Sequence, residues 1–141
     1  MSSKIEMKEA IADALHSGAI RLLRIVRAED AHAGVGPAQL SALSVLVFVG
    51  AKTLGELAAI EQVRPPTMSR IVDGLVKQHL VDRITEATDR RSVRITPTKK
   101  GRKLLLEGKA RRVRALAKRL DELTHEELNV MQKAGQIMSR I

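Results

Sequence analysis

The chain has no cysteine, no tryptophan and no tyrosine, and only one phenylalanine. Without cysteine there are no disulfides, no thiolate metal ligands and no thiol-based redox sensing. With almost no aromatic rings, any core must be built from Leu, Ile, Val, Ala and Met. That favours packed helices over a sandwich or barrel. No apolar run approaches the roughly 18 residues of a membrane helix, and no signal-peptide pattern is present. The expectation is a soluble cytoplasmic protein with no membrane partner. His16, His32, His79 and His125 are scattered, and no pair has metal-ligand spacing, so no metal is expected. Gly34-Val35-Gly36-Pro37 opens an apolar segment and lacks the pattern of a phosphate loop. No Ser-His-Asp arrangement can be argued. Asp121-Glu122 and Glu126-Glu127 read as helix-terminus charges. Neither an enzyme nor a cofactor is expected.

What is present is a basic, aliphatic chain of 141 residues, 44% hydrophobic, with a net charge of +9 and a pI of about 10.5. This length suits one domain. Such a balance suits a polyanionic partner, most often nucleic acid. The charge is unevenly spread. Residues 63–103 hold 11 Lys/Arg against 4 Asp/Glu, whereas residues 1–62 hold 6 against 7.

Helical spacing of Ile11, Leu15, Leu22 and Val26 predicts an amphipathic helix over 4–28. A Gly- and Pro-containing loop follows. Residues 38–49 carry no charge and predict a helix at the centre of the domain, stopped by Gly50. Thr53-Leu54-Gly55-Glu56 matches a capping box that opens a short helix to about Ile60. Pro65 opens the next helix, with Ile71, Leu75 and Val76 as its apolar face. Val81–Ile84 and Val93–Ile95 predict a β-hairpin with a polar tip. Thr96 is expected to cap a further helix, with Pro97 at its first position, running to about Leu120 past a weak spot at Gly108. A second capping box, Thr124 to Glu127, opens the last helix.

The middle of this order reads as a winged helix-turn-helix. Ala58 is small enough for a helix crossing, which Leu57, Val63, Met68 and Ile71 would hold. Glu61-Gln62 stands where a turn glycine is common. Arg64, Thr67, Met68, Ser69 and Arg70 stand at the start of the second helix, whose N-terminal residues point at base edges in the major groove. Asp89-Arg90-Arg91 stands at the hairpin tip, where an arginine can enter the minor groove with Asp89 holding it in position. Arg94 completes the wing set. On the strands, Arg83 and Arg94 are expected to meet phosphate, and Thr53 is assigned to phosphate too.

The stretches Leu54–Leu75, Pro65–Val72 and Asp89-Arg90-Arg91-Ser92, followed by Val93-Arg94-Ile95-Thr96-Pro97, resemble the MarR family of bacterial transcription regulators. The resemblance covers almost the whole chain, and Asp89 and Arg91 match the family's Asp-x-Arg wing signature. It implies a mainly α fold with a small β-hairpin. A winged helix-turn-helix over about 38–96 would be flanked by dimerisation helices over about 4–28 and 97–141, all in one domain. It also implies a homodimer on a pseudopalindromic operator in double-stranded DNA. Arg91 would be the minor-groove residue, and Thr67, Ser69 and Arg70 would face the major groove. Many family members repress a nearby gene and release DNA when a small, often phenolic or otherwise anionic, ligand binds between the dimer helices and the winged domain. The lack of cysteine closes the thiol-sensing branch. No effector residue is assigned here: His16, Arg21 and Arg24 equally suit an exposed or inter-subunit helix face. Two other readings stay open: a non-specific basic nucleic-acid-binding protein, and a helical protein–protein adaptor.

Overall fold

A computed structural model describes residues 3–31, 33–89 and 92–141. The element order is α1 (Lys4–Ala28), α2 (Pro37–Phe48), β1 (Lys52–Thr53), α3 (Leu54–Ile60), α4 (Pro65–Lys77), β2 (Val81–Thr85), β3 (Val93–Pro97), α5 (Lys99–Arg119) and α6 (His125–Met138). The fold is mainly helical, with a three-stranded antiparallel sheet in the order β1-β3-β2.

The chain divides into two compact units. One comprises residues 30–110, the other residues 1–29 with 111–141. The division falls inside α5, after Ala110, and not at the strand–helix junction that the sequence suggests. The physical reason is burial. Gly101, Leu105 and Gly108 on the first half of α5 are buried, so that half completes the core of the 30–110 unit. Gly108 is thus a buried position, not merely a weak one.

The core of that unit lies on α2, α3, α4, the sheet and α5. The uncharged α2 buries Leu40, Ala42, Leu43 and Leu46. Around it lie Leu57, Ala58, Met68, Val72, Leu75, Leu80, Val81, Ile95 and Leu105. Every buried apolar side chain among the described residues falls between Val35 and Leu105.

Local chemistry sets the element ends. Thr53 Oγ1 accepts from Glu56 N at 3.2 Å, and Thr53 N donates to Glu56 Oε2 at 3.3 Å. The same reciprocal pair joins Thr124 and Glu127. Each box satisfies two amides that helix geometry leaves without partners. Thr53→Ala is expected to lower stability by about 1 kcal/mol, as loss of such a cap typically does. Chemical denaturation measures it, and an unchanged midpoint would show that the box is redundant.

Two sequence expectations fail here. Lys52–Thr53 forms a strand that pairs with Arg94–Ile95, so the hairpin is part of a larger sheet. And Thr96-Pro97 does not open α5. Pro97 is the last residue of β3, opposite Val81. The cap is Thr98, whose hydroxyl accepts from Gly101 N at 3.0 Å. Strand pairing displaces the local helix-start signal by two residues.

The second unit contains α1, the remainder of α5, and α6. Neither α1 nor α6 buries a single residue. Yet α1 exposes Ile5, Met7, Ile11, Leu15, Ile20, Leu22 and Leu23, and α6 exposes Val130, Met131, Ile137 and Met138. Among the described residues no helix is long and apolar enough to cross a membrane.

Candidate nucleic-acid interface

The helix-turn-helix forms because α3 stops abruptly at Ile60 and α4 restarts at Pro65, after four intervening residues. Glu61 N, Gln62 N and Val63 N donate back to Leu57 O, Ala59 O and Ala58 O, closing the turn. Gln62 takes a left-handed conformation, φ 56°. It therefore does the job usually given to glycine, at a cost of about 1 kcal/mol. Ala58 is buried where the helices meet, and Leu57 and Met68 are wholly buried beside it.

The spacing of Met68, Val72 and Leu75 gives α4 its inward face. The outward face then follows. Arg64, Thr67 and Arg70 are exposed, and Ser69 is half-buried. Pro65 and Pro66 occupy the first turn, where the missing amide costs nothing. Met68 is a correction to the reading of the sequence. Its side chain is 0% exposed, so it cannot reach a base edge. It stands on the same helix face as Val72 and Leu75, and core packing takes it.

The wing is the β2–β3 hairpin. It pairs from Val81–Pro97 at its base to Thr85–Val93. Glu86 N donates to Ser92 O at 3.0 Å, which continues the ladder toward the tip. Ser92 N donates to Asp89 O at 3.0 Å. Asp89 is exposed. Arg90 and Arg91 lie outside the described residues.

Two ion pairs organise the basic residues that flank the tip. Exposed Arg83 on β2 pairs with Asp73 on α4, tying the strand to the helix that carries Arg70. Half-buried Arg94 on β3 pairs with Glu86. The hydrogen bond and charge of Glu86 hold the Arg94 guanidinium even more firmly protonated than usual. Arg94 also stands opposite Thr53, whose hydroxyl is engaged in capping α3. Sequence reasoning does not find Asp73 or Glu86. Nothing local marks their partners, ten and eight residues away.

The far end of α4 is fastened too. Thr98 Oγ1 donates to His79 O at 2.7 Å, and Lys100 Nζ donates to Gln78 O at 2.9 Å. Thr98 N donates to Leu80 O at 3.0 Å. α4 is thus held at its start by the turn, on its flank by the wing strand and at its end by the start of α5. Such a preorganised basic face suits double-stranded DNA, since its position is fixed before any contact is made. Among the described residues no group of three or more His, Asp or Glu is placed to hold a metal.

Comparison with known proteins agrees with this geometry. A model of the MarR family matches residues 33–92. The chain is 34% identical over 128 residues to an uncharacterised HTH-type transcriptional regulator of Mycobacterium bovis, covering 91% of this chain and 90% of that one. It is 33% identical over 95 residues to the HTH-type transcriptional repressor MdtR of Bacillus subtilis, covering 67% and 61%. Among solved structures, a MarR family protein from Bacillus stearothermophilus superposes with a TM-score of 0.84 at 24% identity, covering 99% and 97%. The wing, the helix-turn-helix and these relatives together place the chain in the MarR family of DNA-binding, winged helix-turn-helix transcription regulators.

Proposed function

We propose that the chain works as a homodimer in the cytoplasm, binds a pseudopalindromic operator, represses a nearby gene and leaves the DNA when a small-molecule effector binds. The observation that carries the reading is the exposed set Arg64, Thr67 and Arg70 at the start of α4, packed in one unit with the wing. Ser69 joins this set at the groove edge. From the sequence, Asp89, Arg90 and Arg91 are assigned to the wing contact, with Arg91 the minor-groove residue. The dimer rests on α1 and α6, none of whose residues is fully buried within the chain and most of whose large apolar side chains are exposed. The repressor assignment is supported by the name of the B. subtilis relative MdtR. Arg83 and Arg94 serve phosphate only while keeping Asp73 and Glu86 as partners, which makes them weaker contributors than the tip arginines.

Single substitutions test the assignment. Arg91→Ala is expected to cost about 1–3 kcal/mol of operator binding at fixed salt. Unchanged affinity removes the wing from the interface. Arg70→Ala is expected to weaken the operator more than a random duplex. Equal losses on both would make Arg70 a phosphate contact, and equal affinity of the unaltered protein for both duplexes would favour non-specific binding.

A further inference from the structure

Arg94 meets two carboxylates before any DNA arrives. It stands on β3, the middle strand of the sheet, opposite Ile84 of β2 and Thr53 of β1. Its Nε donates to Glu86 Oε1, from the residue directly after β2. The charge of Glu56, in the first turn of α3, reaches it as well. Glu56 accepts from Thr53 N in the capping box, so Glu86 is the carboxylate that holds Arg94. The pair stays open to solvent, with the Arg94 and Glu86 side chains 41% and 34% exposed. A guanidinium carries five donors, so Arg94 can take a phosphate without leaving Glu86. Closing the hairpin does not require the pair. Backbone bonds from Val81–Pro97 to Thr85–Val93, continued by Glu86 N to Ser92 O, already do that. Exposed ion pairs also add little to stability. Glu86 therefore acts mainly on how Arg94 meets DNA.

We propose that Glu86 is a specificity-determining residue, which tethers Arg94 to the one phosphate position that a correctly seated operator offers and withholds it from other DNA. This role rests on the operator reading above and deepens it. A free arginine follows any phosphate within its reach, and the affinity it adds carries no sequence information. A tethered arginine meets phosphate only where the pair puts it. The operator complex has one register, so the tether costs little there. A random duplex is bound in many registers. In most of them Arg94 stays neutralised by Glu86. Glu86 thus lowers non-specific binding more than operator binding, and specificity is the difference between the two. Asp82 supplies the contrast. It is an exposed acid on β2, opposite Thr96, and it forms no ion pair among the described residues.

The test uses the full-length chain with two duplexes of equal length across a salt series. One is selected by the unaltered protein from a random-sequence pool, and the other is its scrambled version. Glu86→Gln is expected to raise affinity for the scrambled duplex about three- to tenfold near about 0.1 M salt, the size of one added phosphate contact. The selected duplex should gain less than about twofold, so the preference falls severalfold. The log–log salt slope on the scrambled duplex should steepen by about one per winged unit engaged. Misfolding cannot mimic a gain of this kind. Asp82→Asn removes the same charge and releases no arginine, so slope and preference should stay as they are. In Glu86→Gln combined with Arg94→Gln the gain should vanish, because the released cation is gone. An unchanged preference in Glu86→Gln would overturn the proposal, as would equal gains on both duplexes or a gain that survives in the double variant. So would equal effects of Glu86→Gln and Asp82→Asn, which would make Glu86 one diffuse charge among others. Selection of no sequence by the unaltered chain would sink the operator reading and this role with it. Selection of a sequence that Glu86→Gln discriminates equally well would sink this role alone.

Discussion

Gly101→Ala is expected to destabilise the protein by about 3 kcal/mol or more, because overpacking against backbone has no soft neighbour to absorb it. A methyl group there would stand 2.1 Å from Leu80 O and 3.0 Å from Leu80 C. Both are backbone atoms, and Leu80 O already accepts from Thr98 N. Relief requires the end of α4 and the start of α5 to separate. That motion would stretch the bonds from Thr98 to His79 O and from Lys100 to Gln78 O. The melting temperature should fall by roughly 10 °C, taking a few degrees per kcal/mol for a chain of this size. Gly55→Ala is the matched control. Nothing lies within 4 Å of its Cβ position on α3, so it should be neutral or stabilise by up to about 1 kcal/mol. Equal melting temperatures for the two variants would show that α5 can leave Leu80 without cost.

The second large effect concerns the proposed dimer. Ile11→Glu combined with Leu15→Glu on α1 is expected to yield monomers by mass measurement in dilute solution. Both side chains are exposed in the single chain, Ile11 at 53% and Leu15 at 39%, so neither change disturbs the buried core. The Val35–Leu105 core should remain folded, with helical content largely kept. Operator affinity should then fall by about 10²-fold or more, because two linked half-site contacts become independent ones. A variant that stays dimeric would move the interface away from the middle of α1. A monomer that keeps full affinity would mean that one winged unit suffices for the site.

The fold is legible in the sequence wherever the signal is local. α1 begins and ends where the apolar spacing predicts, and the capping boxes at Thr53 and Thr124 are present as read. The run over 38–49 carries no charge, and its face of Leu40, Ala42, Leu43 and Leu46 goes into the core. Misreadings arise where distant residues decide. A two-residue strand has no period to detect, and β1 exists only because β3 lies beside it. Pro97 looks like a helix start, yet pairing with Val81 keeps it in the sheet. Met68 stands between Thr67 and Ser69 at the helix start and reads as exposed with them, but one helical turn relates it to Val72. The residue types of the candidate interface can be read from the sequence, while the ion pairs among its neighbours cannot. Arg83 and Arg94 read as free phosphate ligands until Asp73 and Glu86 are brought against them by the hairpin and α4. The wing arginines Arg90 and Arg91 fall outside the described residues, so their part rests on the sequence alone.

The most direct measurement is equilibrium binding of the purified chain to its own upstream DNA and to a scrambled duplex across a salt series, with mass determined in the same buffer. The account predicts a dimer that prefers the upstream site by about a hundredfold or more, below the largest specificity ratios known for such proteins. It also predicts that affinity for both duplexes falls steeply with salt as counterions are released. Equal affinity for the two duplexes at every salt concentration, or a monomer that binds neither, would contradict it.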